Sequence, residues 1–185
     1  MAVVSIKNKL RRGNLLVGND TFIPTSFESI ATIEVGAGGA ANVEFTSIPS
    51  TYKHLQIRTL MKVDTGTPDL RMNFNNDTAA NYKFHLLNGD GGTAISEVYT
   101  GSTIQNPSNY FLASIIDILD YTSTTKNKTS RVLKGKDNNG SGDVGLWSHL
   151  WFATPAAITS IKFTLSTATN ISQYSHFALY GIKGA

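Results

Sequence analysis

The chain of 185 residues contains no cysteine, which excludes disulfides, thiolate metal sites and cysteine nucleophiles. Charged residues make up only 16% of it, and its many Ser, Thr and Asn residues favour a β-rich fold over a helical bundle. The first twelve residues carry a charge of +4 and the remaining 173 carry −1, which together give the formal net charge of +3. Because the bases are not spread over the rest of the chain, the sequence predicts no specific nucleic-acid binding. No run of about 18 apolar residues occurs, so the sequence predicts no membrane insertion.

Residues 1–28 form the first predicted unit, a basic N-terminal docking arm. Its cationic side chains would pair with an acidic neighbour, and its apolar side chains would anchor it. The residues predicted to dock are Lys7, Lys9, Arg11, Arg12, Leu15, Leu16, Val17, Phe22 and Ile23. The apolar stretch 15–17 is too short for the core of a secretion signal, so the sequence predicts assembly in the host cytoplasm.

Residues 29–185 form the second predicted unit, in which apolar and polar residues alternate with the period of two that is typical of half-buried strands. In chain order, the predicted strands are 29–35, 42–48, 54–63, 70–74, 110–119, 131–136, 146–153, 158–165 and 176–182. The continuous apolar run 110–119 favours a strand that is covered on both faces. This spacing of short strands predicts an all-β display domain, a β-sandwich of the jelly-roll type.

The sequence contains little that predicts catalysis, and we expect a non-enzymatic protein without a cofactor. The four histidines have no zinc-ligand spacing, so each is interpreted as a core or surface residue. Glu34 and Glu44 could face each other across a first hairpin. Such a pair could serve a glycan hydrolase, or it could be an ordinary solvated pair.

One loop has oxygen-bearing side chains at alternate positions: Asp137, Asn139, Ser141 and Asp143. This spacing is similar to that of a calcium-binding loop, but Ser148 stands where the bidentate Glu is needed. The pattern indicates a hairpin loop, with a bound cation as the alternative.

Aromatic residues recur on one predicted strand. Trp147, His149 and Trp151 share one of its faces, and the other face is also bulky. The strand is therefore predicted to be buried on two sides, within the domain or at a subunit interface. The alternative is that the rings are exposed as a platform for a glycan.

Four segments resemble small β-sandwich virion structural proteins of tailed bacteriophages. They are IPSTYKHLQIR at 48–58, MNFNNDTAANY at 72–82, YTSTTKNKT at 121–129 and FALYGI at 177–182. The resemblance implies a protein of the virion surface whose partners are other virion proteins, and it implies no catalytic residues. The leader at 10–19 is similar to an attachment segment.

The resemblance implies a capsid decoration (cement) or head-fibre protein that docks through its arm. One alternative is a tail fibre or tip protein that contacts the host surface. Another, from a different class, is a carbohydrate-binding module or weak glycan hydrolase. Displayed β-sandwiches tend to close their edges by symmetric association, so we expect a homo-oligomer, specifically a trimer.

Overall fold

The computed structural model describes residues 26–137 and 140–184, and the regular structure in these ranges is all β-strand. The predicted docking residues 7–23 lie outside the described residues, so the N-terminal arm stays a prediction. The strands are β1 (Phe27–Glu34), β2 (Asn42–Phe45), β3 (His54–Met61), β4 (Leu70–Phe74), β5 (Tyr82–Gly89), β6 (Ala94–Thr100), β7 (Thr103–Gln105), β8 (Leu112–Ile118), β9 (Lys128–Asp137), β10 (Gly142–Trp151), β11 (Ile161–Leu165) and β12 (His176–Ile182).

These strands form two antiparallel sheets that pack against each other, which confirms the predicted β-sandwich. The large sheet has eight strands in the order β1-β12-β3-β8-β9-β10-β5-β6. The small sheet has four strands in the order β2-β11-β4-β7. The jelly-roll winding stays a prediction.

The core lies between the sheets because alternate residues of each strand point inward. In β3, for example, Leu55, Ile57 and Met61 are fully buried. Phe163 of the small sheet meets Phe177 of the large sheet with their ring centroids 5.2 Å apart. Aromatic packing of this kind joins the two sheets.

The nine predicted strands correspond to observed strands, with boundaries that differ by a few residues. Strand β1 begins at Phe27, two residues before the predicted start. Strands β5, β6 and β7 lie between residues 82 and 105, where no strand is predicted. Strand β5 is missing from the prediction although buried Tyr82 and Phe84 alternate with exposed Lys83 and His85. Strand β6 is exposed along its whole length and β7 has three residues, so neither shows the contrast of buried and exposed positions that predicts a strand.

Within the single chain, the two strands that are predicted to be covered on both faces have only one covered face, and cover from another subunit stays a prediction. In β8, Leu112 and Ile116 are buried, but Ile115 between them is 38% exposed. In β10, Trp147 is buried, whereas Leu146 is 50% exposed. The reason is that the small sheet covers only one face of the large sheet, and the outer face has no second layer in the described residues.

Candidate functional site

The first candidate surface is an apolar patch on the outer face of the large sheet. Its side chains project from six neighbouring strands, β3, β8, β9, β10, β5 and β6, and their residues are 38% to 63% exposed. The members of this outer patch are Leu60, Leu87, Val98, Ile115, Leu133, Val144 and Leu146. Because soluble monomers rarely expose large contiguous apolar patches without a function, the outer patch is a candidate interaction surface.

Strand register places four members of the outer patch in one row. Leu133 lies opposite Ile115 on one side and Leu146 on the other. Leu146 in turn lies opposite Leu87. Directly opposed residues of antiparallel strands have Cβ atoms about 4.5–5.5 Å apart, so the row is continuous across four strands.

A shallow groove of about 460 Å³ runs along the patch, where small residues interrupt the larger ones. Ala113 and Gly135 oppose each other there, and Gly135 also opposes Val144. A Cβ atom at Gly135 would meet no other atom within 4 Å. The patch therefore has an open hole at Gly135 beside the projecting side chain of Val144.

Charged and polar side chains border the row. At one end, the Arg58 guanidinium lies 5.4 Å from the ring centroid of Phe27 and 5.6 Å from that of Tyr180. In the next row, Asp117 accepts a hydrogen bond of 2.8 Å from the Gln56 side-chain amide. An apolar centre with a polar border is the usual composition of a protein–protein interface.

The predicted aromatic face lies inside the molecule. Trp147, His149 and Trp151 point towards the small sheet and are each at most 5% exposed. Trp147 stacks on Phe84 at 5.0 Å, and Trp151 Nε1 donates a hydrogen bond of 2.7 Å to Asp77. These residues are part of the core, so the interpretations of this face as a glycan platform and as a subunit interface are wrong.

His149 is a neutral core histidine. Burial lowers its pKa to about 4, because the charged imidazolium would lose its hydration. Its Nδ1 lies 3.4 Å from Ser130 Oγ, and its Nε2 has no hydrogen-bond partner. The ring of Tyr82 stacks on it at 5.4 Å, and burial raises the pKa of Tyr82 to about 12.

The predicted carboxylate pair does not form. Strand β1 is an edge of the large sheet and β2 is an edge of the small sheet, so the chain crosses between sheets where a hairpin is predicted. Glu34 lies opposite His176, whereas Glu44 binds Lys162 with a nitrogen–oxygen distance of 3.4 Å. A glycan hydrolase that uses these two carboxylates is therefore contradicted.

The predicted cation loop is only partly described, because Asn139 lies outside the described residues. Asp143 binds two ammonium groups, that of Lys134 at 2.5 Å and that of Lys136 at 3.1 Å. Burial opposes ionisation of Asp143, but the two lysines outweigh it and hold its pKa below the usual value. Asp137 instead caps the loop by accepting a hydrogen bond from the Gly140 amide. The carboxylate of Asp143 is thus engaged within the chain.

Asp, Glu and His residues form no group of three or more suited to a metal ion in residues 26–137 and 140–184. Ser141 immediately precedes β10. In the described residues, no helix is long and apolar enough to cross a membrane.

A second candidate site is a cleft of about 310 Å³ beside the edge strand β6, which the sequence does not predict. Phe84 and Trp147 form its apolar floor, and the half-exposed ring of Tyr99 packs on Phe84 at 5.3 Å. Asn106 Nδ2 donates a hydrogen bond of 2.7 Å to Asp69 Oδ1 at the rim. An aromatic wall with amide and carboxylate groups beside it suits a small polar ligand with an apolar face.

Three of the segments that resemble virion proteins meet in one place and stabilise the fold. Tyr121 OH donates to the carbonyl oxygen of Pro49, and the Tyr52 amide donates to Tyr121 OH. The ring of Tyr52 covers Gly181, where any Cβ atom would overlap it. Tyr52, Tyr121 and Gly181, which belong to the segments that carry the resemblance, therefore have structural roles.

No protein-family model matches this chain, and no curated protein sequence is significantly similar to it.

Proposed function

We propose that this protein is a non-enzymatic structural protein of a tailed bacteriophage particle, a capsid decoration (cement) or head-fibre protein displayed on the virion surface. The outer patch is the observation that carries the proposal. A broad sheet with an apolar face and a polar border suits permanent association with other subunits. The resemblance of four segments to virion structural proteins supplies the phage context.

The test is labelling of purified particles, from the source of this chain, with an antibody against the purified protein. Negative-stain microscopy should show label over the head. Label confined to the tail would favour the alternative of a tail fibre or tip protein. Particles that carry no label, while the antibody still binds the purified protein, would refute the proposal.

A second candidate function is carbohydrate binding at the cleft beside β6, which the exposed ring of Tyr99 favours. The aromatic face would stack on the C–H groups of a sugar ring, while Asp69 and Asn106 would pair with its hydroxyl groups.

Glycan-binding measurements on three proteins test this second candidate. Binding should be seen with the native chain, be lost in Tyr99→Ala, and persist in Tyr174→Ala, since Tyr174 is exposed away from the cleft. Equal binding by the native chain and Tyr99→Ala would exclude the cleft as the site.

A further inference from the structure

We infer that the outer patch binds a second copy of this chain, so that two large sheets pack face to face about a two-fold axis parallel to β9 and β10. The inference rests on the proposed structural role and names the partner of the same surface.

The apolar area of the outer patch matches the needs of a small dimer. Burying an aliphatic side chain removes about 60–120 Å² from water, so the seven partly exposed residues offer roughly 200–400 Å² per copy. The smallest specific interfaces bury about 500 Å² per partner, of which slightly more than half is apolar. The outer patch can supply that apolar part without a second surface.

A two-fold axis between β9 and β10 makes the patch self-complementary. It places Leu133 opposite Leu146 of the second copy, and each leucine is about half exposed in the single chain. In the adjacent row, it places Val144 over Gly135 of the second copy. Because the space above Gly135 is empty, this valine has a hole to enter.

The same axis brings compatible polar groups together at the border. Asp117 and Arg131 oppose each other in one row, which continues through Ser148 to His85. Across the axis, Asp117 faces His85 of the second copy and Arg131 faces Ser148. An axis centred on β9 would instead place Arg131 against its own copy, which like-charge repulsion disfavours. Sheets packed in aligned fashion, at about −30°, keep such rows facing each other near the axis.

Sedimentation velocity of the full chain over a concentration series tests the inference. The native protein should form a species of twice the 20.0 kDa chain mass. Leu133→Lys should raise the dimer dissociation constant by about 100-fold or more, since each dimer would bury two ammonium groups. Ile95→Lys is the matched control, because Ile95 is 42% exposed but lies outside the outer patch, and its dissociation constant should match the native one.

The variant Gly135→Val distinguishes specific packing at the dimer interface from nonspecific association of apolar surfaces. A Cβ atom at position 135 meets no other atom within 4 Å, and the position lies on the open outer face, so we expect the thermal unfolding midpoint of the single chain not to fall. It adds apolar area, yet it fills the hole that receives Val144 and should weaken the dimer by about tenfold or more. Unchanged or tighter association of Gly135→Val would overturn the inferred geometry.

Single cysteines test the axis, since the native chain has none. Under mild oxidation, a mixture of Leu133→Cys and Leu146→Cys chains should cross-link faster than either variant alone, because the axis places residue 133 of one copy opposite residue 146 of the other. Faster cross-linking of Leu133→Cys with itself would overturn this axis. A native protein that is monomeric at all concentrations, or trimeric, would overturn the two-fold dimer. If the antibody labels the heads but the purified protein is monomeric, only the inferred dimer is refuted. If the protein is a dimer but no particle is labelled, only the proposed function is refuted.

Discussion

Burial of His149 should make this protein lose stability between pH 6.5 and pH 4. In the folded state, the pKa of His149 is lowered from 6.5 to about 4, and desolvation is the cause. The unfolded chain takes up a proton as the pH falls below 6.5, whereas the folded chain resists it until about pH 4. Stability is therefore fully present above pH 6.5, and it falls across this window.

The magnitude follows from the size of the shift. The pKa falls from 6.5 to about 4, and each pH unit of that window contributes about 1.4 kcal/mol, so the loss in the free energy of unfolding is roughly 3 kcal/mol. The slope should be about 1.4 kcal/mol per pH unit below pH 6.5 and should level off near pH 4. A domain with a typical stability of about 5–15 kcal/mol would show such a loss clearly.

Urea unfolding of the native chain and of His149→Phe, at several pH values from 7.5 to 4, measures this effect. Phenylalanine keeps an aromatic ring against Tyr82 and Phe74 but cannot be protonated. The difference between the two stability curves should therefore isolate the His149 contribution from that of the carboxylates. Parallel curves for the native chain and His149→Phe between pH 6.5 and pH 4 would refute the reasoning.

Three further predictions concern the arm, one glycine and one buried ion pair. Replacing Lys7, Lys9, Arg11 and Arg12 by Ala together should abolish incorporation into particles, as measured by blotting purified virions; normal incorporation would refute docking through the arm. Gly181→Ala should lower the free energy of unfolding by about 1–3 kcal/mol, because the new methyl group overlaps the ring of Tyr52. Gly36→Ala, which has open space around it, should leave the free energy of unfolding nearly unchanged. Equal urea midpoints for the two variants would contradict this prediction. Asp143→Asn should lower the free energy of unfolding by about 3–5 kcal/mol, because it leaves the buried Lys134 ammonium without its counter-ion. Glu44→Gln, in a partly exposed ion pair, should lower it by at most about 1 kcal/mol. Similar losses for the two variants in chemical denaturation would contradict this prediction.

The sequence predicts most of the strands that have one buried and one solvated face, and β5 is the exception. Strand β12 has the predicted bounds, and β3 differs from its prediction only at its C-terminal end. Alternation is a local property of the chain, so each strand shows it without reference to its neighbours. The same logic explains the failure at β6, which is exposed on both faces and therefore has no contrast to detect.

The candidate sites depend on information that the local pattern does not contain. Leu133 and Leu146 have the residue type expected of a core, yet they are half exposed, whereas the polar ring of His149 is fully buried. A period of two shows that a strand has two different faces, but the position of the second sheet decides which face is covered. Nothing in the sequence of β10 alone indicates that position.

By itself, the sequence determined the class of fold, because alternating apolar residues and frequent turn residues act locally and leave an all-β sandwich as the consistent outcome. Only the tertiary structure decided that Glu34 and Glu44 belong to different sheets, that Trp147 and Trp151 are core residues, and that a row of aliphatic residues remains on the surface. The physical reason is that strand order and sheet stacking come from contacts between residues far apart in the chain, and these contacts choose which apolar faces are removed from water.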